Sequence, residues 1–424
     1  MARADVTVEE ADSLIAGQIR PFPTEGCGVE ASAGRFLRED ILADRDFPPF
    51  DRVALDGIAL AYAALERGEA TFTLQATVGA GQPRVALLSD RHCIEVMTGG
   101  ILPEGADCVV PIERVERFAE IVAVRPGAAP RRMGNVSPQA SECRAGTLLI
   151  HSGTQLRSTH VAICAAVGKR ELAVAASPSI ALASTGDELV EIDRTPEPFR
   201  LRISNRYAAQ AALKEAGYLR TSALHLPDAR EPLRERLAAA LVAADLLITS
   251  GGASIGKFDH LPAVLAEVGV ECLFRGVRER PGLSFWFGVT GEGKPVFALS
   301  GSPVSAQLLL HRFVLPYLAA CSGAAAGEGA RVGASASHPV VPGALLPAVR
   351  ERATLAEEVE GQAGLTLFVP VTVAPLADGR LAATPCPTRG SGDLTALGAS
   401  DGFLELPPGA ARFAAGTAWP LYRW

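Results

Sequence analysis

The pattern of hydrophobic and polar positions is clearest between residues 179 and 320, where strand-like and helix-like segments alternate. Continuous apolar runs predict buried strands, and apolar positions that recur at three- and four-residue steps predict helices. The strands are predicted at 179–185, 219–226, 245–250, near 271–276, near 284–289 and at 295–300. The helices are predicted at 205–216, 230–243, near 260–268 and from Pro303 to about Ala320. This alternation predicts a doubly wound, mostly parallel α/β domain.

The segments on either side of this region have a different pattern. Residues 1–175 contain short β-type runs separated by Gly and Pro turns, such as 70–78, 108–115 and 171–176. Residues 330–424 contain alternating apolar and polar positions, which predict a small β-barrel or sheet. We therefore expect a multidomain α/β and β protein. Its predicted parts are a discontinuous β-rich N-terminal section of two subdomains at 1–178, the α/β domain at 179–322 and a C-terminal barrel-like domain at 335–424.

Composition narrows the classes of function. The chain has 424 residues, of which 48% are hydrophobic and 21% charged, and its net charge is −7. Nucleic-acid binding is not expected, because contact with a phosphate backbone needs a basic face. We recognise no signal peptide and no apolar run of about 18 residues, so we expect no membrane association. The eight scattered cysteines form no CxxC pair and no zinc-type cluster, which favours reduced, mostly buried thiols in the cytoplasm.

The loop TSGGASIGKFDH, at 249–260, is the strongest candidate for a binding site. It directly follows a predicted buried strand, and its glycines allow backbone N–H groups to approach an anion closely. A carboxylate at Asp259 would repel an anionic ligand unless a divalent cation lay between them, so we interpret Asp259 as a Mg²⁺ ligand. The alternative is a tight turn in which Asp259 caps the next helix. The candidate binding residues of the loop are Ser250, Gly251, Gly252, Ser254 and Gly256.

Polar residues also follow the other predicted strands, at the sheet edge where α/β domains bind ligands. Asp187 and Glu188, in STGDEL, are candidate metal or hydroxyl ligands, with solvated loop charges an equal alternative. Asp228 follows the second strand of the domain and could instead cap a helix. The segment ALSGSPVSAQ contains a predicted helix start that attracts anions, although an ordinary helix start explains a lone motif of this kind better. Its candidate contacts are Gly301, Ser302 and Ser305.

Six motifs occur in the same order as in the MoeA/gephyrin E-domain family. They are PPFDRVALDGIALAY, MTGGILPEGADCVV, ASTGDELVE, SNRYAAQAALKEAG, DLLITSGGASIG and LSGSPVSA. The resemblance covers about residues 5–320, and a looser match, DLTALGASDGFLELPPG, lies at 393–409. Because six motifs in register do not arise by chance, the chain is identified by resemblance as a member of this family.

The resemblance implies a molybdenum insertase that transfers molybdate into the dithiolene of adenylylated molybdopterin and releases AMP. It implies a homodimer that uses Mg²⁺, with the site between the α/β domain of one subunit and the first-half domains of the other. The implied partner proteins are a molybdopterin adenylyltransferase and molybdoenzymes. By motif position, the implied functional carboxylates are Asp56, Glu188, Asp228 and Asp259, with Glu142 where the family has Asp. The implied metal ligands are Glu188, Asp228 and Asp259, and the implied polar contacts are Thr98 and Ser305.

The basic residues depart from the family pattern. The family motif KPGKPl is RERPGLSF here, so its two lysines correspond to Arg280 and Leu283, and an earlier lysine corresponds to Gly276. Arg280 keeps a positive charge and is the predicted molybdate contact, whereas Leu283 has none. Lys257, in the glycine loop, is a candidate replacement. The missing lysines leave open a second hypothesis, a non-catalytic relative that binds molybdopterin and delivers it to a molybdoenzyme.

Overall fold

The chain folds into two compact units with different secondary structure. The computed structural model describes residues 3–252, 260–323 and 351–424. The first unit comprises the described residues within 1–39, 152–161 and 171–424, and the second comprises 40–151 and 162–170. The first unit contains an α/β sheet and a β-barrel, whereas the second contains a six-stranded β-sheet.

A seven-stranded sheet forms the centre of the first unit. In spatial order its strands are Arg3–Val6, Val270–Val277, Trp286–Thr290, Pro295–Leu299, Leu246–Ser250, Ile180–Thr185 and Thr221–Leu226. Four of its strand pairs are parallel, and Trp286–Thr290 runs antiparallel to both of its neighbours. The accompanying helices are Val8–Ala16, Asn205–Glu215, Arg230–Ala243, Leu261–Glu267 and Pro303–Cys321. The predicted mostly parallel α/β sheet is confirmed.

Both faces of this sheet are covered, as the continuous apolar pattern of its strands predicts. Ile180 and Leu182 belong to one core cluster, together with residues of the helix Pro303–Cys321. Ala181 and Ala183, which alternate with them along the strand, belong to a second cluster that includes leucines of the helix Arg230–Ala243. Since successive residues of a strand face opposite sides of the sheet, the two clusters lie on opposite faces. The domain is therefore doubly wound.

The strand Arg3–Val6 at the sheet edge was not predicted from the sequence. It pairs in parallel with Val270–Val277, and only Val6 of its residues is buried. Neither an apolar run nor an alternating pattern marks the segment, because backbone hydrogen bonds rather than buried side chains hold it in place. The first residues that the structure describes are thus part of the α/β sheet.

The helix Pro303–Cys321 packs in the core of the first unit. It is long and apolar enough to cross a membrane, but 72% of its apolar window is buried inside the unit, as expected of a core helix. Phe313 contacts Phe285, with 5.0 Å between the ring centroids. Pro316 cannot donate a backbone hydrogen bond, and a π-helical turn at Leu310–Val314 precedes it. The apolar composition of this helix therefore serves the core.

The C-terminal segment closes into a five-stranded barrel. Its strands are Glu351–Leu355, Thr366–Pro375, Leu381–Pro385, Gly402–Leu406 and Ala418–Arg423. Closure occurs because the long strand Thr366–Pro375 pairs with both Leu381–Pro385 and Gly402–Leu406. The short strand Glu279–Arg280 pairs with the start of that long strand, and Asp393 caps the helix Leu394–Ala399. The predicted small C-terminal β-barrel is confirmed.

The second unit is built around a six-stranded sheet. Its strands, in spatial order, are Cys108–Pro111, Gly57–Leu60, His92–Val96, Thr71–Val78, Ile121–Val124 and Val115–Phe118. The run at 108–115 is not one strand as expected, because the 3₁₀ helix Ile112–Arg114 interrupts it after Pro111. Proline cannot donate to a sheet ladder, which explains the break. Short pairs join Arg52–Val53 to Val136–Ser137 and Ile41–Leu42 to Leu148–Ile150.

All eight cysteines are free thiols in the structure, and six of them are buried. Burial raises the pKa of Cys93 to about 12 and that of Cys108 to about 11. Both side chains lie in the core of the second unit, where they pack as small apolar groups. The interpretation of the cysteines as mostly buried thiols is confirmed.

Candidate functional site

A cleft of about 440 Å³ opens at the carboxyl ends of the central parallel strands. The loops after Ile180–Thr185, Leu246–Ser250 and Pro295–Leu299 line it, as is typical of ligand sites in α/β sheets. The structure brings seven of the predicted site residues together here: Glu188, Asp228, Ser250, Gly251, Gly252, Gly301 and Ser302. Polar residues that the sequence analysis did not select also line the cleft: Ser184, Thr185, Arg202, Asn205, Ser284 and Ser300.

Glycines allow the loops of the cleft to approach one another closely. Gly251 has a φ of +93°, and a Cβ atom there would lie 2.6 Å from the Thr185 hydroxyl oxygen. A Cβ atom on Gly301 would lie 3.3 Å from the Cα of Gly251. A side chain on Gly251 would therefore strain the backbone and push neighbouring loops apart. The expected role of these glycines in close backbone approach is consistent with this geometry.

Asn205 connects two of the cleft loops. Its Nδ2 group donates to the Ser250 hydroxyl oxygen at 2.7 Å and to the Gly301 carbonyl oxygen at 2.8 Å. Asn205 does not cap its helix, because Ser204 is the N-cap residue and makes no side-chain cap bond. The Asn205 amide is therefore a tertiary link, which holds the 250 and 301 loops at a fixed separation.

The Asp228 carboxylate is held by a reciprocal pair of hydrogen bonds. The backbone N–H of Asp187 donates to Asp228 Oδ2 at 3.0 Å, and the backbone N–H of Asp228 donates to Asp187 Oδ1 at 3.3 Å. The alternative of a helix cap does not hold for Asp228, because Ala229 is the N-cap residue of the following helix. The two bonds join the ends of adjacent strands and fix the direction of the carboxylate.

Glu188 lies beside Gly186 in the same wall of the cleft. A Cβ atom on Gly186 would lie 2.2 Å from Glu188 Oε2, so the glycine leaves the space that the carboxylate occupies. The Gly186 carbonyl oxygen is 2.9 Å from His225 Nε2. The cleft thus presents two carboxylates, Glu188 and Asp228, from neighbouring strand ends.

Ser184 adds a buried hydroxyl group to the cleft. Only 2% of the residue is exposed, and its Oγ atom has no hydrogen-bond partner within the described parts of the chain. A buried hydroxyl without a partner costs free energy, about 1–3 kcal/mol. Since Ser184 lines the cleft, a bound ligand can satisfy this group.

Two predicted contacts of the first unit are not among the residues that line the cleft. Ser305 is 1% exposed within the first turns of its helix. Arg280 is exposed, and its Nη1 group donates to Gln362 Oε1 at 3.0 Å. At Gly276 the φ is +85°, and a Cβ atom would lie 2.6 Å from Asp5 Oδ1. A lysine at position 276 would therefore be strained in this chain.

The second unit holds three further predicted residues, Asp56, Thr98 and Glu142. Asp56 Oδ1 accepts hydrogen bonds from the backbone N–H and the hydroxyl group of Thr98, both at 2.7 Å. These two bonds lower the pKa of Asp56, with the backbone bond the larger cause. Glu142 forms an ion pair of 2.7 Å with Arg52. The structure thus brings Asp56 and Thr98 into direct contact.

Part of the glycine loop lies outside the described residues. The predicted site residues affected are Ser254, Gly256 and Asp259, together with the candidate cation Lys257. Within 3–252, 260–323 and 351–424, no group of three or more His, Cys, Asp or Glu side chains is arranged to hold a metal ion. The described part of the cleft supplies two carboxylates to any metal site.

Family models match nearly the whole chain. The MoeA N-terminal region (domain I and II) matches residues 6–168, a probable molybdopterin binding domain matches 181–320, and the MoeA C-terminal region (domain IV) matches 352–424. The molybdopterin molybdenumtransferase of Synechocystis sp. is 36% identical over 99% of this chain and 100% of its own length. The chain belongs to the MoeA family. It is therefore a transferase of molybdenum cofactor biosynthesis.

Other MoeA relatives agree in sequence and in structure. The molybdopterin molybdenumtransferase of Staphylococcus epidermidis is 28% identical over 98% of this chain and 94% of its own length. A crystal structure of the molybdopterin biosynthesis MoeA protein from Pyrococcus horikoshii has a TM-score of 0.78 and 25% identity, and covers 99% of this chain and 100% of that one. The resemblance to the MoeA family that the six motifs indicated is confirmed.

Most of the cleft residues that sequence reasoning missed carry hydroxyl groups. Ser184 and Thr185 stand in STGDEL, where only the charged residues were considered. Hydroxyl groups at the end of a predicted buried strand were the signal that could have found them. Arg202 had no such signal, because its place depends on the pairing of Leu189–Val190 with Leu201–Arg202.

Proposed function

We propose that the chain transfers molybdate into the dithiolene of adenylylated molybdopterin and releases AMP. The observation that carries the proposal is the cleft, which combines two carboxylates with hydroxyl groups and glycine loops. It lies in the domain that matches the molybdopterin-binding model. The full-length relatives named molybdopterin molybdenumtransferase support the same reaction.

The first half of the proposed reaction breaks the phosphoanhydride that joins AMP to the phosphate of molybdopterin. A water oxygen bonds to phosphorus, the bridging P–O bond breaks, and two phosphate monoesters and a proton result. Glu188 and Asp228 fit a Mg²⁺ ion, because they present carboxylate oxygens from adjacent strand ends and Gly186 leaves room for one of them. Mg²⁺, when bound, would neutralise charge on the phosphate oxygens. Asp259 is proposed as the third ligand from its motif position.

The second half transfers molybdenum to the two sulfur atoms. Two S–H groups replace one oxygen of molybdate, which leaves as water, and no electrons are gained or lost. Hydroxyl groups are suitable donors to an oxyanion, and Ser184 has an unused one in the cleft. Ser250 already accepts a hydrogen bond from Asn205, so its own hydroxyl proton is directed elsewhere and can serve the ligand.

The family resemblance alone supports the remaining parts of the proposal. These are a homodimer, a cytoplasmic location, substrate supply by a molybdopterin adenylyltransferase and delivery to molybdoenzymes. The same resemblance supports site roles for Asp56, Thr98, Glu142, Arg280 and Ser305. Sedimentation velocity of the purified chain tests the homodimer.

The test of the function measures its two halves separately. The purified chain is incubated with adenylylated molybdopterin, molybdate and Mg²⁺, and AMP is quantified by chromatography while pterin-bound molybdenum is quantified by mass spectrometry. We expect both products from the wild type, and no molybdenum insertion from Asp259→Ala at unchanged thermal stability. Glu231→Ala removes an exposed carboxylate outside the cleft and serves as control. Unchanged turnover by Asp259→Ala, or pterin binding without either reaction by the wild type, would contradict the proposal.

A further inference from the structure

The cleft has an imbalance of charge. Among its lining residues, Glu188 and Asp228 are acidic, and Arg202 is the one basic side chain within the described part of the chain. A ligand with phosphate groups is itself negatively charged and is repelled by the two carboxylates. A positive side chain in the cleft would add to the neutralisation that a bound Mg²⁺ provides, and Arg202 lines the same cleft as the two carboxylates.

The segment that carries Arg202 is attached firmly to the domain. Leu189–Val190 and Leu201–Arg202 pair in parallel, and the backbone N–H of Ile203 donates to the Val190 carbonyl oxygen at 2.9 Å. Glu191 accepts a hydrogen bond of 2.7 Å from Arg206, a buried residue of the next helix. The short strand pair thus fixes the backbone at Arg202 against the segment that follows Glu188.

The guanidinium group of Arg202 is itself oriented by a hydrogen bond. Its Nε atom donates to the carbonyl oxygen of Arg194 at 3.1 Å. No carboxylate pairs with Arg202 within the described residues. The two Nη groups therefore retain four N–H donors, in the planar arrangement that matches two oxygens of one phosphate.

We infer that Arg202 binds a phosphate group of the substrate, in place of the lysine charges that this chain lacks at positions 276 and 283. The inference rests on the proposed function for the identity of the substrate, an adenylylated phosphate ester. Gly276 is strained for any side chain, and Leu283 is exposed and uncharged, so neither position can supply the charge. Arg202 lines the cleft from the segment that directly precedes the helix Asn205–Glu215.

Arg202→Ala tests the inference, with Arg194→Ala as the matched control. Both residues are exposed arginines of the same segment, but Arg194 does not line the cleft, and its substitution leaves the carbonyl oxygen that orients Arg202. AMP, the proposed product, is the probe, and its affinity is measured by isothermal titration calorimetry at two salt concentrations. We expect Arg202→Ala to weaken AMP binding about 10- to 100-fold and to reduce its salt dependence. Arg194→Ala should stay within about twofold.

The conservative variant and the turnover assay complete the test. Arg202→Lys keeps the charge but loses the planar fork, so we expect it to recover part of the lost affinity. With adenylylated molybdopterin, Arg202→Ala should raise KM about 10- to 100-fold with little change in kcat, because a binding contact present throughout the reaction acts on KM. AMP binding by Arg202→Ala equal to that of the wild type would overturn the inference, as would a wild type that binds no AMP.

The outcomes separate this inference from the proposed function. A wild type that inserts no molybdenum, with AMP binding lost in Arg202→Ala, would refute the insertase and support the phosphate contact. A wild type that inserts molybdenum, with Arg202→Ala unchanged in AMP affinity and KM, would support the insertase and refute the phosphate contact.

Discussion

Two groups of charged residues in the first unit differ in how their charges are balanced. In the cleft, Glu188 and Asp228 share the lining with one arginine and form no ion pair among the described residues. In the core, Arg312 is 3% exposed and binds the carboxylates of Asp12 and Glu405 with N–O distances down to 2.7 Å. Charges placed for stability are thus paired within the chain, whereas charges placed for a ligand keep free capacity.

The core group connects three parts of the first unit. Asp12 lies on the N-terminal helix, Arg312 on the long core helix and Glu405 on a strand of the barrel. Tyr422 donates its hydroxyl to Glu405 Oε2 at 2.7 Å. Burial would lower the pKa of Arg312, but attraction by Asp12 and Glu405 outweighs it and raises that pKa well above the usual range. The two carboxylates therefore favour the charged form of Arg312.

The largest expected effect comes from breaking the core group. Arg312→Met would leave the Asp12 and Glu405 carboxylates buried without a cation, so we expect the free energy of unfolding to fall by about 3–5 kcal/mol. Urea denaturation followed by circular dichroism measures it. Arg423→Met, which removes an exposed ion pair to Glu351, is the control and should cost less than about 1 kcal/mol. Equal effects of the two variants would show that burial of the pair does not matter.

The next effect comes from the cleft and appears in activity instead of stability. Asp228→Asn keeps an oxygen that can accept the Asp187 N–H but removes the negative charge. We expect insertion activity to fall about 100-fold, or ~2.7 kcal/mol, and the free energy of unfolding to change by less than about 0.5 kcal/mol. Initial rates of molybdenum incorporation and urea denaturation measure the two quantities. Glu231→Gln is the control. If Asp228→Asn lowered the free energy of unfolding by more than the free-energy equivalent of its lost activity, Asp228 would belong with the structural charges.

Glu279 belongs to neither of these two groups of charged residues. Glu279 is fully buried, and neither of its carboxyl oxygens has a hydrogen-bond partner within the described residues. Burial raises the pKa of Glu279 well above its ordinary value, despite the attraction of Arg312. The folded state therefore keeps a proton that the unfolded chain releases above its ordinary pKa. The free energy of unfolding then falls as the pH rises above that value, until the folded pKa is reached.

Glu279→Gln should remove this pH dependence, which per pH unit is the smallest of the three effects. The amide has the shape of the protonated acid, so the variant and the wild type should be similarly stable at pH 5. Between pH 5 and 8 we expect the variant to gain relative to the wild type, by at most about 1.4 kcal/mol per pH unit. Urea denaturation across this range measures the difference. Parallel pH profiles would mean that Glu279 is ionised in the folded protein and has a partner.

Most of the α/β domain could be predicted from the sequence because its strands are buried on both faces. The segment Ile180–Thr185 is buried at every position, so its apolar run is continuous and easy to recognise. The strand Arg3–Val6 has one buried residue, and its pairing partner is more than 260 positions away in the sequence. A backbone pairing of this kind has no local pattern, which is why it was not predicted.

The candidate site likewise has features that a local sequence pattern predicts and features that depend on long-range packing. The loops that carry glycines, hydroxyl groups and carboxylates can be recognised without a structure, and motif order identifies the family. The reason is that local turn geometry and strand ends restrict residue types at each position. Three features follow only from the fold: Asn205 joins the 250 and 301 loops, Asp228 bonds with Asp187, and Arg202 lines the cleft. These facts depend on distances between segments far apart in sequence, which only the packing of the sheet sets.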